Sequence, residues 1–164
     1  MRTTSLLRLA LVAILAGCAS AKVATDWDRD ARFADYHTYA WMDTPQMQAM
    51  RQGTLFDRRL RSAVEGQLAA KGFRRSDANG DAHVLLVYHA GVRDKIDVRQ
   101  WGYAARRLDV RQYQQGTLVI DVVDARSKSL VWRGTAAGEV SSPDRSGQKL
   151  EKAVQKMFAR FPPT

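Results

Sequence analysis

Cysteine is almost missing from this chain: of 164 residues, only Cys18 is one. No disulfide can close in the part of the chain that follows, so that part must hold its fold by core packing. A membrane-spanning run is missing too. Leu9–Leu15 is continuous and apolar but far short of the ~20 residues that cross a bilayer. There is no Gly-x-Ser-x-Gly elbow, no Walker loop and no Rossmann glycine set, which removes common signatures of hydrolase and nucleotide chemistry. Internal repeats and low-complexity tracts are absent as well.

What is present is an address. Arg2 and Arg8 flank a polar start, Leu9–Leu15 follows, and Leu15-Ala16-Gly17-Cys18 closes the segment. A positive start, a short apolar centre and small residues before the cut make a secretory signal. The one cysteine falls where the cut would come, a pattern that resembles the bacterial lipoprotein signal. The expected division is residues 1–17 as signal peptide, 18–22 as acylated cysteine and short tether, and 23–164 as a single periplasmic domain. Acyl chains on Cys18, palmitate among them, would each bury methylenes at ~0.8 kcal/mol apiece and hold the protein on a membrane. Ala19, rather than aspartate, resembles the sorting signal for the outer membrane, facing the periplasm.

Removing Arg2 and Arg8 leaves 24 basic and 17 acidic residues, a net charge of about +7. A basic domain raises the question of nucleic acid. The compartment argues against it and points to the anionic components of the envelope.

Periodicity supplies the elements. Val23–Asp28 alternates and His37–Met42 is β-prone and aromatic, so both read as strands. Phe56, Leu60, Ala63, Val64, Leu68 and Lys71 follow helical spacing over residues 55–71. Thr54 stands at the start, with Asp57 three residues on, and Gly72 stops the helix. Ala82–Tyr88 reads as a buried central strand. Residues 91–115 are basic, aromatic and weakly periodic, with at most a short strand at Lys95–Arg99. Thr117–Val123 and Leu130–Ala136 read as strands joined by a hairpin-length link. Residues 138–147 read as a loop. Leu150, Ala153, Val154, Met157 and Phe158 define a second helix, with Ser146 as its N-cap. The expected fold is α+β: a mainly antiparallel sheet of about five strands, two helices on one face, in the order β-β-α-β-β-β-α.

Phe33-Ala34-Asp35-Tyr36-His37-Thr38-Tyr39-Ala40-Trp41 resembles the Phe-x-x-Tyr-x-Thr-Tyr-x-Trp signature of a bacterial lipoprotein family, the domain-of-unknown-function family numbered 4136. Asp81–His89, Gly116–Gly134 and Ala153–Pro163 resemble further blocks of it, so the likeness spans residues 22–163. It implies fold and location. The family has no assigned activity, so the resemblance implies no catalytic residue.

The chemical candidates are thin. Asp26-x-Asp28-x-Asp30 lacks the glycine and glutamate of a calcium loop; Ala31 and His37 stand there instead. His83 and His89 share strand parity but lie ~20 Å apart, too far for one metal. A His37–His89 pair across strands stays open. Ser146-x-x-Lys149 lacks the partner motifs of serine acyl enzymes. Asp121 sits among apolar strand residues, either as a buried acid or as a polar residue facing away from the helices. No cofactor, metal or catalytic set is expected. The expected function is that of a non-enzymatic binding or scaffold lipoprotein, with an uncharacterised periplasmic hydrolase as the alternative. The candidate binding segment carries Arg93, Lys95, Arg99, Trp101, Tyr103, Arg106, Arg107, Arg111 and Tyr113, because arginine and aromatic residues together favour binding hot spots. Its expected partners are the membrane, through the lipid, and an anionic envelope component or periplasmic protein.

Overall fold

The computed structural model describes residues 21–42, 54–76, 81–101, 107–140 and 143–163; at 97–101, 107–110 and 143–146 it describes the backbone. Strands β1 (Lys22–Trp27) and β2 (Thr38–Trp41) precede helix α1 (Leu55–Ala69). Strands β3 (Arg74–Arg75), β4 (Val84–Trp101), β5 (Arg107–Asp124) and β6 (Leu130–Glu139) follow, and helix α2 (Pro143–Phe158) ends the chain. The strands form one sheet of six in the order β1-β6-β5-β4-β2-β3.

The α+β class holds, and three features differ from the sequence expectation. The sheet is mixed, because β2 pairs parallel with both β3 and β4. The link from β2 to β4 passes through α1, and such a crossover returns a strand parallel to its start. The sixth strand is β3, two exposed arginines with no apolar pattern to reveal them. The last helix starts at Pro143, so Ser146 lies inside it rather than at its cap. Proline suits a first helical position because its missing N–H has no partner to lose there.

Register assigns the sheet's inner face. Leu86 pairs with Val122 and Val122 with Trp132; Tyr88, Ile120 and Gly134 form the next row. Together with Tyr39 and Trp41 these residues are buried against Leu60, Val64 and Leu68 of α1 and Val154, Met157 and Phe158 of α2. Both helices thus cover the same face. Trp132 is fully buried, with its ring centroid 5.3 Å from Phe158 and 5.2 Å from Phe161. Gly134 is required beside it: a Cβ there would stand 2.5 Å from the Trp132 ring and 3.0 Å from Met157 Sδ.

Helix α1 ends as its sequence implies. Gly72, at φ +83°, turns the chain in a region that glycine enters without strain. The Phe73 N–H then donates to the Leu68 carbonyl at 3.0 Å, and the Phe73 ring is buried. Leu68 is fully buried and Arg59 is exposed on the same helix. Leu68→Ala should cost ~2–5 kcal/mol, while Arg59→Ala should stay within ~0.5 kcal/mol. Thermal unfolding followed by circular dichroism checks this; equal small losses would mean the helix face is misassigned.

Candidate functional site: a projecting β ribbon

Strands β4 and β5 are 18 residues each, about three times an ordinary strand. They pair without interruption from Val84↔Asp124 to Trp101↔Arg107. Their neighbours stop far sooner. On one side β2 pairs with β4 only through Leu86. On the other, β6 ends at Gln115↔Glu139, and the Val140 N–H adds one bond to the Gln114 carbonyl at 2.9 Å. The rows from Lys95↔Tyr113 to Trp101↔Arg107 have no third strand among the described residues. At ~3.3 Å per residue they form a two-stranded arm ~23 Å long.

Sequence alone gives residues 91–115 as weakly periodic, with at most a short strand at Lys95–Arg99. The structure corrects this to the two arms of one hairpin. The signal is weak because residues 92–96 are exposed rather than packed on the core, so burial enforces no strict apolar alternation there.

Read at period two, the segment sorts cleanly. Arg93, Lys95, Asp97, Arg99 and Trp101 share a face with Gln115, Tyr113, Arg111, Asp109 and Arg107 by register. Seven of the nine expected site residues therefore come together on one basic face. Tyr103 and Arg106 lie outside the described residues. Arg93 and Lys95 are exposed. Arg111 Nη2 stands 2.7 Å from Glu139 Oε1, and its guanidinium carbon is 6.0 Å from the Tyr113 ring centroid. The opposite face carries Val92, Ile96, Val98, Leu108 and Val110 with Asp94 and three glutamines. On it Val92 is 59% and Ile96 63% exposed, so apolar surface stands in water. The sequence reading missed this second face; the alternation Val92, Ile96, Val98 was its available signal.

Elsewhere the polar groups serve the fold. Buried Asp57 accepts from the Tyr88 hydroxyl at 2.6 Å and from Arg61 Nε at 2.9 Å. The Arg61 guanidinium lies 4.5 Å from the Trp41 ring centroid, and Trp41 Nε1 donates to Glu65 at 2.9 Å. Asp121 is buried and held by Arg133 through two bonds of 2.6 and 2.7 Å. That hydrogen-bonded carboxylate raises the Arg133 pKa. Asp121 shares parity with Val119 and Val123, so it is both buried and on the face away from the helices. Asp26 and Asp28 accept from neighbouring backbone N–H groups, a local turn rather than a calcium loop. His37 meets His83, not His89: its N–H donates to His83 Nδ1 at 3.0 Å. Among the described residues no three His, Cys, Asp or Glu side chains converge on a metal position. An open groove between the helices is lined by Arg58, Arg59, Ser62, Gln67, Glu151 and Lys152, a mixed-charge surface with no acid–base set.

The β5–β6 turn is pinned by Asp124. Its carboxylate accepts from the Ser127 and Arg126 N–H groups at 2.7 and 2.9 Å and from the Tyr36 hydroxyl at 2.8 Å. The Ser127 backbone bond leads the causes that lower the Asp124 pKa. Burial, and then the bond to Asp124, push the Tyr36 phenol up to about 12.

The whole-chain comparison agrees with this architecture. The family model described as "Domain of unknown function (DUF4136)" matches residues 23–163. The chain belongs to this family. A search of curated proteins gives no match. Among solved structures, a PDZ domain protein from Parabacteroides distasonis aligns at a TM-score of 0.60 and 13% identity, over 88% of this chain and 37% of that one. The chain thus spans just over a third of that protein. A DUF4136 family protein from Bacteroides thetaiotaomicron aligns at 0.52 and 12% identity, over 87% of this chain and 96% of that one. At such identities the likeness concerns fold.

The Asp124 cluster makes a pH prediction. Its folded pKa lies below the unfolded value of ~3.9. Its contribution is therefore present above that value and lost as pH falls through the folded pKa. The stability difference between wild type and Asp124→Asn, measured by urea unfolding, should be full at neutral pH and shrink on acidification below about pH 4. A difference independent of pH would contradict the role.

Proposed function

We propose that this DUF4136 protein is a lipid-anchored envelope lipoprotein that works by binding rather than catalysis. Cys18 is its acylation site, the outer membrane its location, and the periplasm the side on which residues 23–164 fold. The single observation that supports the binding role is the projecting ribbon, which sets seven basic and aromatic candidates on one register face, six of them beyond the last row paired with β6. A two-stranded ribbon without a third strand is marginally stable in water, so an arm of this length gains by lying against something. Its basic face suits an anionic envelope component or an acidic protein surface.

Two results test the proposal. Mass spectrometry of the mature protein should give an N-terminus at acylated Cys18, and Cys18→Ala should leave uncleaved precursor or release soluble protein; an unmodified start elsewhere overturns the anchor. Replacing Arg93, Lys95 and Arg111 together with serine should leave the circular dichroism spectrum intact. It should also weaken binding to lipopolysaccharide, anionic vesicles or sacculi several-fold at low salt. The wild-type binding should fall as salt rises, because the Debye length drops to ~3 Å at 1 M. Absence of any salt-sensitive binding by the wild type would reduce the arm to a connector.

A further inference from the structure

The ribbon and the anchor leave the sheet at the same end. Lys22 of β1 pairs with Ala137, Ala137 with Thr117, and Thr117 with Gly91, so one row joins the start of β1 to the root of the ribbon. Ala21 lies against Gly138, one row further toward the arm: a Cβ on Gly138 would be 3.4 Å from Ala21. Strand β1 runs away from the arm, so its first residue stands at the arm's end of the sheet. Cys18 is four positions before Lys22, a reach of at most ~14 Å even fully extended. From the same row the ribbon runs ten residues, Gly91 to Trp101, or ~33 Å.

The reach of the arm from this row therefore exceeds that of the tether by ~20 Å. We infer that the ribbon is a membrane-contact element, resting its Val92–Ile96 face in the headgroup region of the leaflet that holds the Cys18 lipid. This rests on the lipid-anchor reading above. With the lipid in the leaflet, the Lys22 row stands within a tether's length of the head groups, and an arm more than twice that long, leaving from the same end of the sheet, is within reach of them. Nor does it pass upright into the hydrocarbon, because the outer edges of β4 and β5 carry backbone N–H and C=O groups that lipid cannot satisfy. Lying in the interface meets both demands. Head groups and water satisfy the edges, and the exposed Val92 and Ile96 exchange water for acyl chain. The basic residues of the other face, Arg93 and Lys95 first, have side chains long enough to reach anionic head groups from above.

The test uses the full-length protein purified from membranes and reconstituted into phosphatidylethanolamine–phosphatidylglycerol vesicles. Acylated Cys18 has no thiol, so a cysteine introduced by Ile96→Cys takes an environment-sensitive NBD probe alone. Lys95→Cys reports the opposite face, and Leu130→Cys the far end of the sheet, where Leu130 is exposed. The expected result is a blue-shifted Ile96 probe, quenched by shallow spin-labelled lipid several-fold more than the Lys95 probe, with the Leu130 probe unquenched. An Ile96 probe quenched no more than Leu130, or less than Lys95, on acylated protein overturns the inference and leaves the anchor standing. A parent chain that itself takes the probe, or that lacks acyl mass at Cys18, overturns the anchor and this inference with it.

Discussion

The continuous antiparallel register of β4 with β5 is the constraint on which the rest of the structure depends. Its inner rows present Val84, Leu86, Tyr88, Ile120 and Val122 to both helices, and these are among the most deeply buried side chains of the protein. Its outer rows continue the same ladder with no third strand among the described residues. A one-residue slip would turn the core rows to the wrong face, and would exchange the basic and apolar faces of the arm with them. Core and arm are therefore locked to each other: burial at one end of the hairpin decides which side chains the other end presents.

Trp132 shows how tightly the core end is fixed. Its ring lies over Gly134 and against Phe158 and Phe161, and its row partner Val122 belongs to the long hairpin. Leu→Ala changes in such interiors leave cavities rather than readjusting freely. The reverse face is held differently, by the Asp121–Arg133 pair and by a small cluster of Ala40, Ala82 and Leu85. Buried carboxylates are costly unless bonded; here both oxygens of Asp121 are engaged by one guanidinium.

Much of this was legible in the sequence. Helix α1 stood out through Leu60, Val64 and Leu68 and its stop at Gly72, and α2 through Val154, Met157 and Phe158, because one-sided burial imposes a 3.6-residue period. The α+β class and the family likeness followed from the same patterns. The strand order did not, because periodicity marks strands without their partners: β2 pairs parallel with β4 across the α1 connection, and β1 pairs with β6. The long hairpin reads as irregular in sequence because Asp94, Gln100, Gln112 and Gln114 interrupt its apolar alternation, and the described side chains at 92–96 are all exposed, with no core to impose one. Seven of the nine basic and aromatic candidates nevertheless lie along the two strands of this hairpin. What the sequence could not supply was their common face, or that the arm they occupy leaves the sheet at the end where β1 begins.

The most direct measurement of the central claim is amide hydrogen exchange along residues 92–101 and 107–114, resolved by nuclear magnetic resonance. A two-stranded antiparallel ladder turns alternate N–H groups inward to the partner strand and the rest outward. The account predicts protection that alternates residue by residue along both segments, in phase with the Lys95↔Tyr113 register. Uniformly fast exchange through both segments, beside slow exchange at Leu86, Tyr88, Ile120 and Val122, would contradict it and return the segment to an unstructured connection.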